Sequence, residues 1–298
     1  MSTIQCRRLG HATLWTPDLD RMIDYYTEVI GLQLIEREPS RAFLATREGL
    51  EAICLEKGDT AELARIAFQV APGSDLSELA KTLQKAGIAA ERRRGISPGI
   101  ADCIAFTDPK GTLVEVFADY TFAGREKKQQ GIMPFKLGHV AYRCHDVQKV
   151  VKFYEDHLGF RTSDWRGNTF AFLRCGVDHH TVNFVVDEEQ KLHHIAFEVK
   201  DWGEIHRAAE HLARHDIRLV WGPGRHIIGH NIAIYHRNAD EVRVEFFTEM
   251  DQMKDEALGY FDPRPWHQDT PQRPKVWGKE TLRNYWGFGS ERAYPGYP

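Results

Sequence analysis

No stretch of this chain approaches the ~18 consecutive apolar residues of a membrane-spanning helix, and its amino terminus has no apolar signal core. Both absences predict a cytoplasmic protein with no membrane partner. Blocks of like charge are also missing. The net charge is −4 and no basic cluster stands out, so nucleic acid has no electrostatic footing. Cysteine is scarce. The five residues (Cys6, Cys54, Cys103, Cys144, Cys175) are odd in number and lack CxxC spacing. That argues against a disulfide framework or a zinc-thiolate site, and for a reducing compartment.

What is present is an ordinary globular composition, 42% hydrophobic and 28% charged over 298 residues, enough for two domains and a substantial core. Fifteen histidines make histidine position worth following.

The chain repeats itself. Leu9-Gly10-His11-Ala12 opens one half and Leu137-Gly138-His139-Val140 the other. Helical periodicity follows each, over Asp18 to Val29 and Val147 to Leu158, stopping at Gly31 and Gly159. Short strands come next, at 42–45 and 52–55, then at 169–173 and 181–186. Each half then restarts: Leu63 to Val70 matches Leu192 to Val199, with helices predicted at 75–86 and 202–215 and strand pairs at 103–117 and 232–247. The pattern is four strand-helix-strands modules, two per half, and composition alone makes the class α+β. The expected organisation is an amino-terminal domain over 1–120, a charged linker, a second domain over 136–249 and a tail over 250–298. The tail is too aromatic for disorder and is expected to wrap over the second domain as a lid.

The stretch from Gly222 to Phe247 carries the most chemistry. Gly222-Pro223-Gly224 breaks the chain, Asn231 to Tyr235 and Val242 to Phe247 alternate as strands, and a polar turn joins them. Tyr235 and Glu245 share a face if the loop between the strands is of odd length. Neither belongs in a core without a partner.

Gly224-Arg225-His226, Ile234-Tyr235, Asn238 and Glu245 resemble the carboxyl-terminal signature of type I extradiol ring-cleaving dioxygenases, in the vicinal oxygen chelate superfamily. Ala239 and Glu241 depart from that pattern at turn positions where the family usually has Pro and Gly. The resemblance implies the vicinal oxygen chelate fold, four βαβββ modules in two domains. It also implies an Fe(II) enzyme, with Mn(II) the other admissible ion, that cleaves a catechol with O2 next to its hydroxyls. By the same match His139, His194 and Glu245 are the metal ligands. Two imidazoles and one carboxylate form a facial triad that leaves positions open. His180, in Asp178-His179-His180-Thr181, becomes the acid-base residue, with His179 a bland neighbour. His226 and Tyr235 become donors to substrate oxygens. His230 and Asn231 lie between them as possible polar contacts. His145, His157, His206, His211, His215, His236 and His267 read as surface or packing residues.

In the first half His11 matches His139 and Glu115 matches Glu245, but Arg65 stands for His194. Arginine cannot ligate a cation, so the first half is expected to lack metal and to hold an Arg65–Glu115 ion pair instead. Trp221 stands where homoprotocatechuate-cleaving relatives have a carboxylate-binding arginine, which implies an uncharged ring substituent. Arg273 and Arg283 in the tail are the remaining candidate cations. The family is usually multimeric, so a homo-oligomer is expected. The alternative function is a metal-dependent glyoxalase-type isomerase or lyase of the same fold.

Overall fold

The computed structural model describes residues 4–125, 128, 130–262 and 271–286. Trp266 and His267, part of the charged linker and the chain beyond 286 lie outside the described residues. The first module is β1 (Arg8–Thr16), α1 (Leu19–Asp24), β2 (Gln33–Arg37), β3 (Arg41–Ala45) and β4 (Glu51–Lys57). The second is β5 (Glu62–Gln69), α2 (Leu76–Lys85), β6 (Ala90–Ser97), β7 (Ile100–Thr107) and β8 (Leu113–Phe117). The third is β9 (Lys136–Cys144), α3 (Val147–Leu158), β10 (Arg161–Arg166), β11 (Phe170–Arg174) and β12 (Val182–Val186). The fourth is β13 (Lys191–Glu198), α4 (Trp202–Arg214), β14 (Leu219–Arg225), β15 (Ile232–Arg237) and β16 (Arg243–Thr248). A short β17 (Lys275–Trp277) comes from the tail. The architecture is α+β.

Each half makes one mixed sheet. The orders are β2-β3-β4-β1-β5-β8-β7-β6 and β14-β15-β16-β13-β9-β12-β11-β10-β17. The two modules of a half join where their first strands pair antiparallel, β1 with β5 and β9 with β13. Helices cover the outside. Asp18, Asp75, Asp146 and Asp201 cap all four, each accepting from a backbone N–H of the first turn. One core runs through both halves, from Ile4 and Tyr26 to Tyr154 and Phe246.

The first helix differs from expectation. Regular α-helix stops at Asp24, and Tyr25 to Ile30 continue as a π-helical turn ending at Gly31, φ +83°. The wider turn accommodates two consecutive buried tyrosines, and the Tyr25 hydroxyl lies 2.6 Å from His236 Nε2.

Described parts of the tail lie on the second half. β17 pairs with β10, Phe261 is buried against His179, and Asn284 Oδ1 accepts from the Arg225 N–H. Tyr285 and Trp286 are not buried as the aromatic count suggested. Each is about half exposed; Tyr285 stacks on His230 and Trp286 meets Trp202 edge to face. Among the described residues no helix is long and apolar enough to cross a membrane.

Candidate metal centre

Three neighbouring strands build the centre. Ala196 on β13 faces His139 on β9 and Glu245 on β16 in register. Directly opposed residues share a sheet face, so these three form a row with His194 two residues along on the middle strand. The small Ala196 side chain leaves space for His139 and Glu245 to lean over it and meet His194.

They meet as a nearly equilateral triangle. His139 Nε2 is 3.1 Å from both His194 Nε2 and Glu245 Oε2, and His194 Nε2 is 3.2 Å from Glu245 Oε2. All three residues are buried. Edges of this length would let one ion sit about 2 Å from all three atoms, close to metal–ligand bond lengths. Two imidazoles, one carboxylate and an open side therefore fit a divalent transition metal. Among the described residues this is the group of three whose ligand atoms converge in this way. Burial pushes the Glu245 carboxyl up, but His139 and His194 beside it outweigh that and hold it well below the usual range. Burial brings His194 down to about 4, which keeps its ring neutral.

Further contacts hold the ligands. Asn231 Nδ2 donates to Glu245 Oε1 at 2.9 Å, and His193 Nδ1 lies 2.6 Å from His194 Nδ1. The Phe247 ring packs on His139, centroids 5.1 Å apart. A Cβ at Gly138 would sit 2.4 Å from that ring, and one at Gly10 would meet Phe117 at 2.5 Å. The repeated Gly-His is therefore a packing requirement.

His180 lies outside the triangle, its ring centroid 4.3 Å from that of His139. Burial drives its pKa well below 6.5. His179 is not a bland neighbour, contrary to expectation. Its Nδ1 is 3.0 Å from His180 Nδ1 and its Nε2 is 2.9 Å from Asp164 Oδ2, all three side chains being buried. On the other side of the centre, His226 Nε2 and the Tyr235 hydroxyl are 3.0 Å apart, and Tyr235 pairs directly across from Glu245. Burial lowers the His226 pKa and raises that of Tyr235. Trp221 stacks flat on His226, centroids 4.6 Å apart. His230 is held away, by Asp251 Oδ2 at 2.6 Å. His139, His180, His194, His226, Tyr235 and Glu245 thus all line one cleft of about 600 Å³. Spacing does not reveal Asp164. A buried aspartate within β10 is the one signal, since such a group needs a partner.

The first half repeats the arrangement with other chemistry. His11 Nε2 lies 3.8 Å from Glu115 Oε2 and Arg65 Nε 3.4 Å from Glu115 Oε1. Arg65 therefore does turn toward Glu115. Its two-pronged end, however, goes to Glu56 rather than Glu115, because Glu56 on β4 lies within reach at the sheet surface. Glu51 takes the position of His180, 3.3 Å from His11 Nδ1. Ala105 faces Glu115 as Tyr235 faces Glu245.

The sequence pattern of the Glyoxalase/Bleomycin resistance protein/Dioxygenase superfamily matches residues 8–116 and 136–246. The manganese-dependent 2,3-dihydroxybiphenyl 1,2-dioxygenase of Geobacillus genomosp. 3 is 24% identical over 92% of this chain and 94% of that protein. Metapyrocatechase 2 of Cupriavidus necator is 27% identical over 76% of each. The crystal structure of an Mn(II)-bound glyoxalase from Novosphingobium aromaticivorans superposes with a TM-score of 0.84. It covers 99% of this chain and 95% of that one at 24% identity, a likeness of fold.

Proposed function

The chain belongs to the Glyoxalase/Bleomycin resistance protein/Dioxygenase superfamily, and from that premise we propose that it is an extradiol dioxygenase of aromatic degradation. It uses Fe(II) or Mn(II) to insert both atoms of O2 into a catecholic ring next to the hydroxyls. The observation that carries this reading is the facial triangle of His139, His194 and Glu245 opening on a cleft that also presents His180, His226 and Tyr235. The Geobacillus relative, by its name a manganese-dependent dioxygenase of a dihydroxylated biphenyl, supports both the reaction class and the metal.

Held by those three ligands, the metal supplies a Lewis-acidic, redox-active centre with positions left for its substrates. The remaining tasks fall to the chain. His180 exchanges a proton with the substrate at Nε2, since Nδ1 is engaged by His179. Its lowered pKa makes it a neutral acceptor first and, once protonated, a ready donor. Tyr235 keeps its proton and, with His226, orients the ring oxygens. Phe172, Trp221 and Leu282 line the cleft and limit water. The tail acts as a lid through Leu282 and Arg283. In the product the ring bond beside the diol is broken and each new carbonyl end carries one oxygen of O2.

The test is anaerobic loading with Fe(II) or Mn(II), then a panel of catechols in air. A yellow ring-opened product with one O2 consumed per ring is expected. Turnover of an α-ketoaldehyde hemithioacetal without O2 uptake would instead make the chain a glyoxalase-type isomerase. That chemistry usually takes two carboxylate ligands, and the triangle has one. We also propose a homo-oligomer in a reducing cytoplasm. Five free, buried cysteines support the compartment, and light scattering tests the assembly.

A further inference from the structure

The mouth of the cleft carries an excess of one charge. Arg143, Arg166, Arg243 and Arg283 line it, against the carboxylates of Asp187 and Glu245. Glu245 belongs to the triangle, and Asp187 Oδ2 lies 3.4 Å from Arg143. Arg166 donates to the Lys279 carbonyl at 2.7 Å, yet its Nε is buried with no hydrogen-bond partner, as is that of Arg143. Burial, and then the adjacent Arg283 cation, push the Arg166 guanidinium below its usual value. Among the described residues neither Arg166 nor Arg283 has a carboxylate in ion-pair contact. Positive charge outnumbers negative here, although Asp187 pairs with Arg143 and Glu280 acts on Arg166, over the apolar walls of Phe170, Val185 and Val186.

Their position matches a substituent on a bound ring. Arg143 lies four residues beyond His139 on β9, hence on the same face, about 13 Å along the strand. Arg143, Arg166 and Arg283 line the same cleft as the triangle, so a side chain carried by a ring bound there extends toward them.

We propose that these three arginines form an anion subsite, and that the substrate is a catechol whose ring substituent ends in a carboxylate. This rests on the dioxygenase reading, and it reverses the expectation drawn from Trp221. That indole is occupied in stacking on His226, and the cations come from β9, β10 and the tail instead. A planar guanidinium fork suits a carboxylate, and two of them side by side define its direction.

The experiment compares a carboxyethyl catechol with the neutral ethyl catechol, in wild type, R166Q and R283Q. Ring cleavage is measured in the metal-loaded enzyme, and binding to metal-free protein under nitrogen by calorimetry. Wild type is expected to favour the carboxylate by roughly tenfold or more in kcat/KM, the scale of one charge-assisted hydrogen bond. The preference falls about tenfold in each variant, and the calorimetric dissociation constant of the carboxylate rises in parallel. A preference for the neutral ring, or a ratio unmoved in both variants, overturns the subsite. If neither ring is cleaved the dioxygenase reading fails, and the calorimetric preference alone then decides the subsite. Arg283 is exposed, so R283Q keeps the test open should R166Q fail to fold.

Discussion

Glu245 uses its two oxygens for different tasks. Oε2 closes the triangle with both histidines, while Oε1 accepts from Asn231. Glutamine keeps the shape and removes the only negative charge among the three. E245Q is expected to fall from about one metal per chain to nearly none by elemental analysis, with activity lost. H180N should retain its metal while kcat falls about 100-fold, the scale of losing acid-base catalysis. Metal loss in H180N would move His180 into the ligand set. A third residue-scale prediction concerns the first half, where burial pushes Glu51 up to about 7 from 4.5. Between those values the native chain binds more protons than the unfolded one, so stability falls as pH rises through that window. E51Q should remove this slope and gain up to about 3 kcal/mol at pH 8 relative to pH 4.5, read from urea titrations of both proteins. At this scale the triangle was legible because the family resemblance assigns its members, and two of them, His139 and Glu245, recur as His11 and Glu115 at near-constant spacing. Asp164, Arg143 and Arg166 were not, because they meet the site from β9 and β10 and no spacing links them to the triangle.

The β15–β16 hairpin shows what an element can absorb. In the first half Asp108 Oδ1 accepts from the N–H groups of Lys110 and Thr112, and Gly111 takes φ +88°. In the second, Asn238 Oδ1 accepts from Asp240 and Val242 in the same way. Glu241 holds the left-handed position at φ +61°. The departure from glycine therefore leaves the turn intact and keeps Tyr235 opposite Glu245. The cost is the strain of a side chain in that region. E241G should stabilise the protein by about 1 kcal/mol in thermal or urea unfolding, with metal content unchanged. No gain would mean that the Arg237 contact to the Glu241 carbonyl, 2.9 Å, depends on the glutamate. Elements with clear periodicity and caps, such as α3 and α4, could be read from sequence to within a residue or two. The π-helical turn could not, since Tyr25 faces inward toward His236, more than two hundred residues away.

At the scale of the molecule, the two halves share one core and a charged pair crosses between them. The β7–β8 turn of the first half carries Asp108 and Lys110 into the second. Both are buried and paired, the Lys110 ammonium lies 4.7 Å from the Tyr142 ring centroid, and the Tyr154 hydroxyl donates to Asp108 at 3.1 Å. Gln190 Nε2 closes the contact by donating to the Lys110 carbonyl at 3.3 Å. Around this pair Phe68 meets Tyr154 and Phe160 edge to face. The internal repeat announced two halves. Their joint was invisible because Asp108 and Lys110 lie in a turn, and a turn is expected in solvent. K110M would fill the apolar surroundings of the ammonium but strand the Asp108 carboxylate. Leaving one member of a buried pair costs about 3–5 kcal/mol, whereas replacing both often costs little. K110M should therefore lose several kcal/mol, and K110M with D108N should recover most of it. Because the pair joins the halves, hydrogen exchange should show both sheets opening together in wild type. In K110M the first sheet should begin to exchange before the second. Equal destabilisation in the single and double variants would mean that the aromatic contacts, not the ion pair, hold the halves together.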